Sequence, residues 1–460
     1  MSEERRSPQS LNLIAKPWHL CNQDNVTKKS GWIPDLSWNI RISLRTQKDK
    51  TSVFANLMKH ININTLNEAF KALDGTKALG VDGVSKKAYS MNLDNNLKEL
   101  LQSIQKGNYR PKPKREVLIP KGSGKTRPLA IACFEDKIVD WVLAKILTAM
   151  YDPAFIRNSF GYRPNKSADG AVKACSGSLG KGKRSHVVEM DFKSFFNTIP
   201  HRKLMKILGE RITDHKLLRL IVHFLKTEVI CEEGGNPTKC GTPQGGLMSP
   251  VLANIYLDKV LDQWFLENWA SYDQTIVRYA DDAVFFFTKE ENANQFLKEL
   301  ETRTKAYGLM LHPDKTRKLK MNKSSKESFD FLGFTFYWAK QKSRKVLKVK
   351  TQKAKLHSAI REFYQWCKAV RNKLKLSKIW KLARAKIEGH LNYFGYGDNN
   401  LKCNHFCSEA IKSMYKWLNR RSQKRSYNWN GFNDRINYMP LYKSFSERKW
   451  KQHGKSFGRI

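Results

Sequence analysis

Acid is scarce in this chain: 42 Asp and Glu stand against 84 Lys and Arg in 460 residues, a formal charge of +42. A surplus of that size excludes a neutral surface and implies a polyanionic partner. Of the two common polyanions a membrane is disfavoured, because no apolar run approaches the roughly 18 residues that a spanning helix needs. The first residues, MSEERRSPQSLNLIAKPWHL, lack a hydrophobic signal core and carry Glu3 and Glu4 early. That argues against secretory or organellar targeting and for a cytoplasmic location. Paired cysteines are missing too. The eight cysteines are scattered, and the one close pair, Cys403 and Cys407 in CNHFC, has no second half-site for zinc. Its helical spacing with Phe406, Ile411, Met414 and Leu418 predicts core packing instead. Disulfides are not expected in a reducing compartment.

A nucleotide-hydrolase loop is also absent. The pattern Gly-x-x-x-x-Gly-Lys-Thr needs a glycine where this chain has Ile119, and Pro128 stands where the helix should begin. What remains of GSGKTRP is a basic hairpin in which Lys121, Lys125 and Arg127 face an anion.

Forty per cent hydrophobic and 11% aromatic residues support a real core. Residues 1–50 are weakly patterned and read as an extension. Helical spacing follows at Leu66, Phe70 and Leu73, and again at Leu93, Leu97, Leu100 and Leu101. REVLIPK alternates as a strand. SHVVEMDFKSFFNTIPH reads as a strand breaking into an aromatic turn and then a helix. KCGTPQGGLMSP is a Gly/Pro loop, with Ser249 predicted to cap the next helix and Pro250 to open it. QTIVRYADDAVFFF reads as a hairpin with acids at its tip, and FDFLGFTFYW as further strand. From Lys340 onward the spacing is helical, with 31 Lys and Arg against 6 Asp and Glu. Short strands between helices, followed by a basic helical tail, predict α+β followed by α. Chemistry and gripping are divided between segments.

Three acids carry the chemistry. Asp191 ends one predicted strand, and Asp281 and Asp282 tip a hairpin, each among apolar and aromatic neighbours that suit a solvated loop poorly. If the strands adjoin, the carboxylates converge and must be neutralised. Arg278 could offset one charge but not all. Magnesium does so better, because it favours carboxylate and phosphate oxygens and keeps open positions for substrate. Two such ions about 4 Å apart serve nucleotidyl transfer.

Eight stretches together resemble group II intron-encoded reverse transcriptases, also called maturases. In order they are GVDG, IPKGSGKTRPLAI, SFGYRPNKSA, MDFKSFFNTIPH, GTPQGGLMSPVLANIYL, VRYADD, GLMLHPDKT and FDFLGF, spread over roughly residues 75 to 340. The resemblance implies an RNA-directed DNA polymerase of α+β right-hand fold. Its parts would be an extension (1–50), fingers (51–185), a palm with an antiparallel sheet (186–340), an all-α basic thumb or domain X (341–425) and a basic tail (426–460). It also implies that Asp191, Asp281, Asp282 and the Phe192 carbonyl hold two Mg2+ ions. Phe196 would be the gate against a 2′-hydroxyl, Gln244 a contact to the incoming nucleotide, and Lys121 and Arg127 the grip on its triphosphate. The implied partners are RNA template, intron RNA, DNA primer or target and deoxynucleoside triphosphates, without a membrane; a homodimer is allowed. The paired cysteines and histidines of a DNA endonuclease domain have no counterpart here, so target-strand cleavage is not expected. Two other readings stand beside this one: a domesticated reverse transcriptase of the defence, CRISPR-associated or diversity-generating kind, and a non-catalytic RNA-binding splicing chaperone. The intact acids speak against the last.

Overall fold

The computed structural model describes residues 37–122, 125–180, 182–231, 234–236, 241–242, 245–270, 274–421, 427–448 and 450. Strands among them run in chain order as β1 (Lys114–Gly122), β2 (Lys125–Ile131), β3 (His186–Met190), β4 (Val229–Cys231), β5 (Gly234–Asn236), β6 (Thr275–Tyr279), β7 (Asp282–Phe287), β8 (Arg317–Lys320), β9 (Ser328–Phe331), β10 (Phe334–Gln341) and β11 (Arg344–Thr351). They form three sheets, ordered β2-β1-β4-β5, β6-β7-β3-β8 and β11-β10-β9. With the helices between them, this is the α+β class that the pattern predicts.

The sheet β6-β7-β3-β8 is antiparallel throughout. Its strand β7 reads DAVFFF, an unbroken apolar run where an antiparallel strand with one wet face would alternate. Both faces are covered. Phe285 and Phe287 enter the larger core with Phe265 and Phe296, while Phe286 enters a second core with Val187, Val277 and Phe329. Each fully buried phenylalanine contributes roughly 2–3 kcal/mol, so this strand is a fixed support for whatever stands on its end. The first face is closed by the helix Glu290–Ala306 through Ala293, Phe296 and Leu300.

The helix Phe134–Tyr151 is buried nearly all round, as its apolar composition demands. The helix Trp38–Lys48 packs on it through buried Ile42, and Thr46 Oγ1 donates to the Met150 carbonyl (3.0 Å). The weakly patterned extension therefore contains an ordered helix. Its polar composition hid the one face that is covered.

The predicted helix after the Gly/Pro loop exists, but its cap does not. Ser249 is already the first helical residue, and Pro250 the second. The Leu247 and Met248 N–H groups donate instead to the fully buried carboxylate of Asp140 (2.6 and 3.1 Å), 107 residues upstream. A long-range acid thus holds the chain just ahead of the helix.

The boundary expected at residue 340 falls inside a hairpin. β10 and β11 pair from Phe334 with Thr351 to Gln341 with Arg344, and Lys340 stands directly opposite Lys345. The all-helical part begins only at Lys353. Three helices, Lys353–Val370, Leu376–Phe394 and Asn400–Leu418, then enclose their own core of Leu356, Phe363, Cys367, Ile387, Cys403, Phe406 and Cys407. Cys403 and Cys407 are packed as predicted, and burial pushes the Cys403 thiol up to about 12. Among the described residues no three His, Cys, Asp or Glu gather as a preformed metal site, and no helix is long and apolar enough to cross a membrane.

Candidate active site

The turn between β6 and β7 consists of Ala280 and Asp281, closed by the pairing of Tyr279 with Asp282. A two-residue hairpin needs positive φ at its first turn residue, and Ala280 supplies it at φ 56° although it is not glycine. Such a conformation costs roughly 1–2 kcal/mol per residue, so neighbours must hold it. Gly161 is one of them: a Cβ there would lie 2.3 Å from the Ala280 nitrogen. The strand of the SFGYRP loop also binds β6, with Phe160 N–H donating to Arg278 O and Arg278 N–H to Asn158 O (2.9 and 3.0 Å).

Among the described residues Arg278 is the largest fully buried side chain, and its partner corrects the sequence reading. It does not offset the acids at the tip. Nε and Nη2 donate to the two carboxylate oxygens of Asp262 (2.8 and 2.5 Å), and Nη1 donates to Asn254 Oδ1 and to the Ala280 carbonyl (both 2.9 Å). The acids stand at the end of the sheet: Asp281 is half-buried and Asp282 exposed.

Asp191 arrives from the neighbouring strand. β3 pairs with β7 up to Met190 opposite Ala283, and one further step along that register sets Asp191 against Asp282. The Asp191 side chain is 21% exposed, and Lys315 Nζ donates to its Oδ2. His312 N–H donates to Asp191 O, and Lys193 N–H to Met310 O (2.8 and 2.9 Å), on either side of the bridge between Phe192 and Leu311. In an extended chain alternate carbonyls point opposite ways, so the Phe192 carbonyl is turned from His312 toward the β7 side. Phe192 itself is buried, stacked on Phe195 at 5.4 Å.

Phe196 is 7% exposed and stands edge-on to Phe195. Its carbonyl accepts from Thr242 N–H (2.7 Å), which ties the gate position to the Gly/Pro loop. Gly241 makes this approach feasible: it lies at φ 86°, and a Cβ there would sit 2.6 Å from Phe196 O. Gln244 lies outside the described residues, as does the side chain of Lys121, whose backbone is in β1. Arg127 is exposed on β2, paired with Ile119 across the hairpin. The β1–β2 hairpin is therefore present, with Arg127 exposed on it.

Sequence reasoning quoted several residues of this site without giving them a role. Tyr162 sits at φ 56°. Burial pushes its hydroxyl pKa up, Arg127 pulls it down, and Asp281 and Asp282 push it up again. The Tyr162 hydroxyl thus feels the charge of both the basic hairpin and the acid turn. Tyr393, from the helix Leu376–Phe394, donates its hydroxyl to Leu332 O (3.0 Å). Burial, then Tyr279 and Asp282, push its pKa up to about 12. Lys315 and Asn254 complete the group, and like Tyr162 they stand in stretches that were already conspicuous; Asp140, which holds the loop before the helix Ser249–Leu257, carried no such signal.

The donor set suits a hard divalent cation, since carboxylates and a backbone carbonyl are the oxygen ligands such ions take. Lys315 supplies positive charge to Asp191 in the same place. Residues 119–336 match the family described as reverse transcriptase (RNA-dependent DNA polymerase). These residues are a reverse transcriptase domain. Over 282 residues the chain is 31% identical to the group II intron-encoded protein LtrA of Lactococcus lactis subsp. cremoris, covering 61% of this chain and 47% of that protein. Over 200 residues it is 34% identical to protein YkfC of Escherichia coli (strain K12), covering 43% of this chain and 52% of that one. Nuclear intron maturase 4, mitochondrial, of Arabidopsis thaliana is 26% identical over 124 residues, 27% of this chain and 15% of that protein. The chain spans about half the length of the first two. The matched domain contains Arg127, Asp191, Asp281 and Asp282, together with the β6–β7 turn.

Proposed function

We propose that the chain is an RNA-directed DNA polymerase that also binds an intron RNA and assists its splicing and mobility. The observation that carries this reading is the acid turn of β6–β7, standing one strand from Asp191 inside the reverse transcriptase domain. In the right-hand arrangement the segment before β3 acts as fingers, the β6-β7-β3-β8 sheet as palm and the helices from Lys353 as thumb.

Asp191 and Asp281, with the Phe192 carbonyl and Asp282, would hold two Mg2+ ions, which when bound acidify the primer 3′-hydroxyl and offset charge on the departing pyrophosphate. Lys121 and Arg127 grip the triphosphate of the incoming deoxynucleotide, Arg127 facing the acids across Tyr162. Gln244 contacts that nucleotide from the Gly/Pro loop. Phe196, braced by Phe195 and by its own carbonyl, closes the space that a 2′-hydroxyl would need, a discrimination by shape. Lys315 holds Asp191 until a cation competes for it. The basic helices grip RNA template, intron RNA and DNA primer through their phosphates.

Purified protein supplied with an RNA template, a DNA primer, deoxynucleotides and Mg2+ is expected to extend the primer, and Asp281→Asn to lose at least about a thousandfold in rate, as loss of a group acting only in the transition state does. No extension by the wild type would sink the polymerase reading. Sequencing the RNA that copurifies separates an intron partner, expected as an excised structured intron, from a domesticated role.

A further inference from the structure

Two segments meet at the acid site: the turn that carries Asp281 and the loop that carries Tyr162. Both hold residues at positive φ, and the residues that secure them come from the helix bearing Asn254 and Asp262 as well as from β6. The securing residues are buried and polar. Asn254 is 2% exposed, and Asp262 and Arg278 are each 0%.

Their connections close a ring. Arg278 Nη1 donates to Ala280 O, inside the acid turn, and to Asn254 Oδ1 (both 2.9 Å). Asn254 Nδ2 donates to Gly161 O (2.7 Å), in the Tyr162 loop. Gly161 lies against the Ala280 backbone, which returns to the start. Asp262 balances the guanidinium through both its oxygens.

A distortion of the helix makes the ring possible. Residues Asp258–Asp262 form a π-helical turn following the helix Ser249–Leu257. Eight residues of unbroken α-helix would leave Asp262 rotated about 80° from Asn254. The wider π turn reduces that rotation and brings both side chains to Arg278. Such turns are rare and concentrate at functional sites. Asp258 sits beside the pair, and its carboxyl is pushed up by burial and by the Asp262 charge.

We infer that Arg278, Asp262 and Asn254 are positioning residues of the polymerase site, with Asn254 the node that fixes the acid turn and the Tyr162 loop relative to each other. A buried ion pair that only added stability would need neither the bond to Ala280 O nor the one to Gly161 O. The two arms of the ring set different things: the Arg278 arm sets where Asp281 stands, and the Asn254–Gly161 arm sets where Tyr162 and the nucleotide site lie.

The inference rests on the polymerase reading, and its test is measured relative to a wild type that extends primers, so a silent wild type overturns that reading and not this one. Lysine at 278 offers one ammonium for four acceptor oxygens. Arg278→Lys is expected to weaken Mg2+ binding by about tenfold in titration calorimetry without nucleotide, and to raise the Mg2+ needed for half-maximal rate alike, since small misplacement of reacting groups costs up to about a hundredfold. Asn254→Asp keeps the acceptor for Arg278 but loses the donor to Gly161. It is expected to raise the deoxynucleotide KM about tenfold while Mg2+ affinity stays within about threefold. Asn254→Ala is expected to move both. The inference is overturned if these variants lower only the melting temperature and leave Mg2+ affinity, KM and kcat per folded molecule unchanged. Should Arg278→Lys fail to fold, an unchanged KM in Asn254→Asp overturns it by itself.

Discussion

At Gly161 a single methyl group separates a working turn from a displaced one. An alanine Cβ there would lie 2.3 Å from the Ala280 nitrogen and 3.0 Å from its Cα, backbone atoms that cannot swing aside. Gly161→Ala is expected to destabilise the protein by about 1–3 kcal/mol through overpacking, read as a lower melting temperature, and to reduce primer extension with it. Gly177, inside the helix Ala168–Gly180, is the matching control, since a Cβ there meets nothing within 4 Å. Its replacement by alanine is expected to add roughly 1 kcal/mol through helix propensity alone. Equal effects from the two substitutions would refute the close-approach argument. At this scale the sequence was generous with the acids and silent about their neighbours. Asp281 and Asp282 announce themselves as charges in an apolar run. Arg278, in the same run, was read as their counter-charge because proximity in sequence was the only guide, whereas its partner Asp262 lies 16 residues away on a distorted helix.

Elements were legible where their period was strong. The helices at 353–370 and 376–394 follow from apolar spacing alone, as does the β6–β7 hairpin. Where a long-range contact replaced a local signal, the reading slipped: Ser249 lies inside the helix it was expected to cap, the chain ahead of it being held by Asp140, and β11 continued a sheet into a stretch that composition had marked as helical. The helix Leu376–Phe394 has a further property hidden from its sequence. His390 stacks on Phe406 at 3.7 Å between ring centroids, and burial pulls its pKa down to about 4. In the unfolded chain a histidine titrates near 6.5, so the folded state binds fewer protons between these values. Stability is therefore intact above pH about 6.5 and falls as pH drops toward about 4, by on the order of 3 kcal/mol. Melting temperatures at pH 7 and pH 5 are expected to differ less in His390→Gln than in the wild type. An identical difference would exclude His390 as the source.

For the whole molecule, charge is the governing property. A protein carrying +42 that contacts many phosphates releases many counterions, so its affinity for RNA is expected to fall by roughly 10³–10⁵ between 50 and 200 mM salt. Filter binding or fluorescence anisotropy across that range checks it; a flat affinity would mean that few phosphates are touched. The overall charge and its concentration after Lys340 were plain in the sequence. How the acids are carried was not, because it depends on three segments far apart in the chain: β3, the β6–β7 hairpin and the helix bearing Asn254.

One consequence follows from β7 being sealed on both faces. A strand held by Phe285, Phe286 and Phe287 in two separate cores cannot shift its end by the length of a nucleotide without opening both. On the proposed reading, each round of synthesis must therefore advance the nucleic acid past stationary carboxylates. Translocation is a movement of product over a fixed anvil, and the protein's share of it falls to the parts that hold the strands.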